Sequence, residues 1–226
     1  MLFRSIARRA KREPVSRILG RRGFWTLDLA LSPDTLDPRP DSETLVEAVL
    51  ERIPDRGRAL KFLDLGTGSG CLLLALLSEY RNATGLGVDL APGAIKTARG
   101  NAAEAGLTKR ACFVVGNWAQ GIDGRFDVVL SNPPYIPADA IAGLEPEVAQ
   151  HDPRLALDGG PDGLQAYRAI LTDLPRLLAS HALVALEVGK GQAKPVAGLL
   201  KAQGLQVVGT WRDLAGIERC ILATAG

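Results

Sequence analysis

The residues with the most chemistry in this chain are the tetrad Asn132-Pro133-Pro134-Tyr135 and the run "DLGTGSG" from Asp64 to Gly70. The tetrad follows "RFDVVL", so it stands at the end of a strand. Pro133 and Pro134 have fixed φ and no amide donor, so the backbone there offers carbonyls without competing N–H groups. The side-chain oxygen of Asn132 is a further acceptor. Two acceptors held side by side match the two hydrogens of a planar NH2 group, and Tyr135 is placed to lay its ring on that plane. Such a site suits an amide or an amino-bearing base, and the tetrad alone does not choose between them.

An amide nitrogen is a poor nucleophile because its lone pair is delocalised into the carbonyl. Acceptors on both hydrogens keep the lone pair aimed at an electrophile and favour the pyramidal nitrogen of attack. With a cationic electrophile no strong base is needed beforehand, and the proton is expected to leave after transfer. Positioning then supplies much of the rate, on the order of 7–11 kcal/mol for well-oriented pairs.

Gly66, Gly68 and Gly70 let the chain turn sharply after a strand and let a ligand approach the backbone closely. Asp89 ends the next strand, where a carboxylate binds ribose hydroxyls. The spacing is GxGxG, not the GxGxxG of dinucleotide sites, and Asp64 stands two residues before the first glycine. A carboxylate there repels pyrophosphate and suits a cationic ligand, such as the ammonium and sulfonium of S-adenosyl-L-methionine. No Walker lysine follows, which counts against ATP. The structural alternative is a tight turn with Asp89 as a helix cap.

The elements that must position these residues alternate. "LKFLDLG", "TGLGVDL", "ACFVVG", "FDVVLS" and "ALVALEVG" read as buried strands, with helices in "CLLLALLSEY", "PGAIKTARGNAAEAG", "GLQAYRAILTDLPRLLAS" and "GQAKPVAGLLKAQG". The third of these helices is expected to bend or divide near Pro175. "QVVGTW" and "ERCILATA" close the chain with only "RDLAGI" between them, too short for a crossover, so they pair antiparallel. The result is an α/β fold with a mostly parallel sheet and helices on both faces. Ahead of it, "FWTLDLALSP" alternates as a strand or hairpin, and "DSETLVEAVLERI" is a helix with Asp41 as N-cap. A loop-rich insert covers residues 132–160.

Composition sets the bounds. The chain has 226 residues, 46% of them hydrophobic, enough for one sizeable core. A net charge of +2 does not suggest a broad nucleic-acid-binding face. Three cysteines without CxxC spacing and two histidines give no zinc site or disulfide framework, and a reducing compartment fits. No apolar run reaches membrane-span length. The Arg-rich start reads as a transit peptide or, better, as a linker.

The ordered motifs resemble the HemK/PrmC family of protein-(glutamine-N5) methyltransferases acting on peptide-chain release factors. The likeness runs from "REPVSRILGRRGFWTLDLALSPDTLDPRPDSETLVEAVL" through "FLDLGTGSGCLLLALL", "GVDLAPGAIKTARGNA" and "SNPPYIP" to "EPEVAQHDPRLALDGGPDGLQAYRAI" and "LEVGKGQ…VVGTWRDLAGIERCILA". It implies a seven-stranded Rossmann-like class I methyltransferase fold, mostly parallel with an antiparallel last strand, preceded by a short β-hairpin. By resemblance Asp64, Gly66, Thr67, Gly68, Ser69 and Gly70 belong to the S-adenosyl-L-methionine site, Asp89 binds ribose and Trp118 packs near adenine. Asn132 bridges cofactor and substrate, and Pro133, Pro134 and Tyr135 hold the glutamine. The implied reaction is N5-methylation of glutamine in the Gly-Gly-Gln motif of class-1 release factors, by a cytoplasmic monomer using no metal, membrane or direct nucleic-acid contact. The alternatives are a ribosomal-protein glutamine methyltransferase, an adenine or cytosine amino-methyltransferase, and a non-catalytic cofactor-binding module.

Three departures from the family pattern stand out. Asn117 replaces an Asp before Trp118. Asp37 and Asp41 replace an apolar residue and a Glu. The family's N-terminal helical domain is nearly missing, so residues 1–22 are expected to be a basic linker or its remnant, with the hairpin and catalytic domain in 23–226. Arg39 is read as a salt-bridge former or loop anchor, His151 and Asp152 as loop or substrate contacts, and Glu187 as a substrate contact or helix cap. Tyr167, Arg168 and Cys71 are read as packing residues.

Overall fold

A computed structural model describes residues 2–225. The chain opens with α1 (Leu2–Ala10) and α2 (Val15–Leu19), then the hairpin β1 (Arg21–Phe24) and β2 (Leu27–Ala30). A 3-10 turn, Pro40–Ser42, leads into α3 (Glu43–Arg52). The alternating core follows: β3 (Lys61–Leu65), α4 (Cys71–Glu79), β4 (Thr84–Asp89), α5 (Pro92–Glu104), β5 (Ala111–Val115) and β6 (Phe126–Ser131). The insert carries α6 (Pro146–Ala149) between two further 3-10 turns. Then come α7 (Gln165–Leu177), β7 (Leu178–Glu187), α8 (Ala193–Ala202), β8 (Gln206–Arg212) and β9 (Glu218–Thr224).

Seven strands form one sheet in the order β5-β4-β3-β6-β7-β9-β8, and β1 and β2 pair by themselves. All pairs from β5 to β7 are parallel, and β9 runs antiparallel between β7 and β8. This is the expected mixed sheet with its antiparallel end. The chain order reverses beside β3, which pairs β4 on one side and β6 on the other, so the loops after these strands meet at one switch point.

Strand alternation divides the core in two. Phe62, Val128, Leu130, Leu183, Ala185 and Leu222 face α3, α4 and α5, together with Phe24 and Leu29 of the hairpin. Leu63, Leu65, Val129, Val184, Leu186 and Ile221 face α7 and α8. Both faces are therefore covered, which is why the strands read as continuous apolar runs. Leu72 to Leu77 of α4 are all buried, and each leucine so placed contributes about 2 kcal/mol of transfer energy.

Three expectations change. Asp41 is not the N-cap of α3, because its carboxylate pairs with Arg219 (Oδ2 to Nη2, 2.8 Å). Ser42 holds the cap position instead and makes no capping bond. Pro175 does not divide α7: it lies in the last turn, and the helix runs on to Leu177. The hairpin begins at Arg21, slightly ahead of the expected boundary at residue 23.

The basic N-terminal segment is docked on the insert. Arg12 pairs with Glu145 at 2.7 Å and with Glu147 at 2.6 Å, and Arg9 with Glu147 at 3.2 Å. Deeper, Arg17 donates to Asp152 at 2.6 Å, and Arg39 to the other oxygen of Asp152 at 2.5 Å. Arg39 is thus a salt-bridge former that anchors a loop. Asp152 is a buried structural carboxylate, not a substrate contact or a solvated loop residue. No helix among the described residues is long and apolar enough to cross a membrane.

Candidate active site

The turn after β3 needs three left-handed residues in alternation, and Gly66, Gly68 and Gly70 have φ of 76°, 55° and 83°. Only glycine adopts such values without strain. The Gly66 and Thr67 amides donate to the Val88 carbonyl, Gly70 to Thr67, and Gly68 to the Asp89 carboxylate at 2.8 Å. Four of the five amides from Gly66 to Gly70 are thereby used inside the protein. The loop is no phosphate cradle, which excludes a pyrophosphate seat on physical grounds.

Asp64 sits behind this loop. It is 1% exposed, accepts the Thr67 hydroxyl at 2.6 Å and faces the Leu73 amide at the start of α4. A carboxylate therefore already occupies the helix N-terminus that a phosphate would need. Its Oδ1 has no hydrogen-bond partner among the described residues, and burial pushes its pKa up to about 7. The Ser69 hydroxyl is likewise buried without a partner. These orphaned groups beside a cleft fit a ligand that brings hydrogen-bond donors and positive charge.

The cleft has a volume of about 960 Å³. Its wall includes Gly66, Thr67, Gly68, Ser69, Asp89, Asn117, Trp118, Asn132 and Pro134. Trp118 closes one side, with its ring edge 3.4 Å from where a Cβ on Gly66 would stand. Asp89 accepts from Gly68 and Ala91 on its inner side, and burial raises its pKa. Asp64, Gly70, Pro133 and Tyr135 are not among the residues lining the cleft. Cys71 lines the cleft, but burial pushes its thiol up to about 12, so it is no nucleophile.

The tetrad leaves β6 beside the glycine loop. Ser131 donates from Oγ to the Leu65 carbonyl oxygen, fixing the two strand ends together. Asn132 donates from Nδ2 to Ser42 Oγ at 3.1 Å, which turns Oδ1 away from Ser42 as a free acceptor. Neither the Asn132 nor the Pro133 carbonyl accepts a hydrogen bond among the described residues outside the sheet ladders. Tyr135 is not the open lid its position suggested. Its ring packs into the core beside Gly189, and its hydroxyl donates to Glu187 Oε1 at 3.4 Å. Burial, then the Glu187 carboxyl, push the phenol pKa up, so Tyr135 stays a donor.

Glu187 ends β7, 2% exposed, and is neither a wall residue of the cleft nor a helix cap. Tyr167 packs behind it and donates to its backbone carbonyl at 2.8 Å. Arg168 pairs with Asp162 at the surface, and His151 lies outside the cleft.

One family model, methyltransferase small domain, matches residues 24–148. A release factor glutamine methyltransferase of Rhodospirillum rubrum is 58% identical over 96% of this chain, which spans 66% of that protein. One of Caulobacter vibrioides is 47% identical over 96% of this chain and 75% of its own length. The chain belongs to the release factor glutamine methyltransferase family. Among solved structures, a release factor-specific protein-(glutamine-N5) methyltransferase of Alicyclobacillus acidocaldarius aligns with a TM-score of 0.50 at 30% identity, covering 83% of this chain and 93% of that one.

Three residues that sequence reasoning passed over contact the tetrad or its neighbours. Gln192 donates from Nε2 to the Tyr135 carbonyl at 2.9 Å and accepts the Gly189 amide at 3.0 Å. Gly159 lies so close under the tetrad that a Cβ would stand 2.8 Å from Tyr135 Cα. Ser42 touches Asn132 from ninety residues away in sequence. Only the glycine pair "DGG" gave any local signal of these contacts.

Proposed function

We propose that this chain methylates the side-chain amide nitrogen of glutamine, using S-adenosyl-L-methionine, in the Gly-Gly-Gln motif of class-1 release factors. The single observation that carries it is the fixed orientation of Asn132. With Nδ2 engaged by Ser42, Oδ1 and the neighbouring Pro133 carbonyl form a pair of acceptors without adjacent donors. That pair is complementary to an NH2 group and repels a bare carbonyl or carboxylate.

When bound, S-adenosyl-L-methionine supplies a methyl group on a cationic sulfur. Gly66, Thr67, Gly68 and Ser69 hold it from the β3 side, Asp89 accepts its ribose hydroxyls and Trp118 covers its base. Asp64, behind the loop, contributes negative potential toward its charge. Asn132 and Pro133 hold both hydrogens of the glutamine amide, and Pro134 and Tyr135 fix the backbone that carries them. Loss of the amide proton after transfer needs no strong base, so a protein base in the cleft is unnecessary. Residues 21–226 then carry the hairpin and the catalytic unit, residues 1–20 serve as a linker docked on the insert, and the chain works as a cytoplasmic monomer.

Labelled methyl transfer to a class-1 release factor and to its Gln→Ala variant tests the proposal. Label on the wild-type factor alone is expected. Equal label on both would reject the glutamine as target.

A further inference from the structure

Two stretches of the cleft wall lie outside the sheet and its packed helices. One runs from Leu31 to Arg39, between β2 and the turn before α3, and gives Asp34, Leu36 and Pro38 to the cleft. The other belongs to the insert, where residues 153–156 line the same cleft. Irregular chain of this kind stays in place only where side chains hold it, because each ordered residue costs conformational entropy.

Both stretches border the elements that carry the site. Asp34 stands against the first turn of α5, so a Cβ on Gly93 would fall 1.8 Å from its Oδ2. The insert is tied to the tetrad at its far end: the Ile136 amide donates to the Leu157 carbonyl at 3.0 Å, and the Gly159 amide to the Ile136 carbonyl at 2.8 Å. Those bonds leave the near end of the wall, at residue 152, to be held in another way.

Charge holds it. Arg17 of α2 donates from Nη1 to the Ser32 carbonyl at 2.6 Å, and from Nη2 to the Thr35 carbonyl at 2.5 Å and to Asp152 Oδ1 at 2.6 Å. Arg39, at the end of the same stretch, donates to Asp152 Oδ2 at 2.5 Å. The Asp37 amide reaches Asp152 Oδ1 at 3.4 Å, and the Asp37 carboxylate accepts the Ser16 hydroxyl of α2. One fully buried carboxylate thus takes a guanidinium on each oxygen. Charge-assisted bonds are short and directional, so these fix α2, the 31–39 stretch and the insert relative to one another.

We propose, building on the S-adenosyl-L-methionine reading of the cleft, that Arg17, Asp152 and Arg39 are positioning residues: they latch the two irregular walls together in the arrangement that binds the cofactor. None of the three lines the cleft, so they act only through the walls they join. The α2 segment is then part of the frame of the cleft and more than a tether. The outer pairs of Arg12 with Glu145 and Glu147 differ, because neither glutamate lines the cleft and Arg12 is half exposed.

The test is calorimetric titration with S-adenosyl-L-methionine, and amide hydrogen exchange of the free protein, on the full chain and its Arg39→Ala, Arg39→Lys and Arg12→Ala variants. Arg39 is the arm to remove, because it is partly exposed and Arg17 still neutralises Asp152, which keeps the fold. For Arg39→Ala the Kd should weaken about 10-fold, the value for walls that hold their binding arrangement about a tenth of the time. Exchange should quicken at the Ala156, Leu157 and Asp158 amides, which bond within the insert, and stay unchanged in β3 and β6. Arg39→Lys keeps a charged donor for Oδ2 and should restore both readouts. Arg12→Ala should match the wild type in both. An unchanged Kd in Arg39→Ala would overturn the proposal whatever its exchange pattern. So would exchange quickened equally in β3 and β6, which marks global destabilisation, or an equal loss of affinity in Arg12→Ala. A wild-type chain that binds no S-adenosyl-L-methionine would instead overturn the functional reading on which the proposal builds.

Discussion

Ser131 and Leu65 lie on different strands, yet Ser131 Oγ donates to the Leu65 carbonyl oxygen at 2.5 Å. The next residue on one chain segment is Asn132 and on the other Gly66. The Asn132 tetrad and the Gly66–Gly70 loop therefore leave the sheet from one tied point. Both loops are constrained at their roots before any ligand arrives, and rigid placement of this kind is what oriented transfer requires.

Asn132→Ala removes the side-chain acceptor and should lower kcat on the order of 100-fold, the usual cost of losing one preorganised polar contact to a reacting group. Single-turnover methylation of a release factor measures this. A fall confined to cofactor affinity, with kcat unchanged, would contradict the assigned role.

How far the site was legible follows from range. The strand, the glycine turn and the tetrad are local, and their residue types carry their own geometry, so Gly66, Gly68, Gly70 and Asn132 could be named from spacing. Ser42, Glu187 and Gln192 act by long-range contact, and a lone Ser or Gln carries no local signature. Asp41 misled for the same reason: its position suited a cap, and only the fold brings Arg219 to it. Asp152 looked like a solvated loop residue because its two arginines come from residues 17 and 39.

Gly159 carries the tetrad on its backbone. A Cβ there would come within 2.8 Å of Tyr135 Cα and 2.9 Å of the Pro134 carbonyl oxygen, atoms that cannot rotate away. Gly159→Ala should cost about 1–3 kcal/mol of stability, as overpacking does, and lower kcat with it. Gly143→Ala, where a Cβ meets nothing within 4 Å, is the control. Urea unfolding and methylation assays of the pair compare them, and equal behaviour would refute the close-approach account.

Asp152 holds the N-terminal segment to the insert. Its side chain is fully buried, with Arg17 at 8% exposure on one oxygen and Arg39 on the other. Asp152→Ala leaves a buried guanidinium uncompensated and should destabilise by about 3–5 kcal/mol. Arg168→Ala, which breaks the exposed pair with Asp162, should leave the unfolding midpoint unchanged. Chemical denaturation of the two variants separates the cases.

Proton linkage supplies a test of Asp64. Burial pushes both Asp64 and Glu187 up to about 7 in the folded protein, whereas exposed carboxyls titrate near about 4. Between those values the folded chain holds protons that the unfolded chain has released. The stabilisation is full below about pH 4 and is lost as pH rises through about 7. Glu147 and Asp162, drawn down to about 2 by hydrogen bonds from Arg12 and Arg168, have the opposite sign. Their contribution fades only toward acid pH and does not bend the curve near neutrality. The Tm of the free protein should therefore fall between about pH 4 and about pH 7 and level off above, and Asp64→Asn should flatten part of that fall. A cation seated against the Gly66–Ser69 wall favours the Asp64 carboxylate, so S-adenosyl-L-methionine binding below about pH 7 should release a proton. Calorimetry in two buffers of different ionisation enthalpy reads that proton directly, and undiminished release in Asp64→Asn would show that it comes from another group.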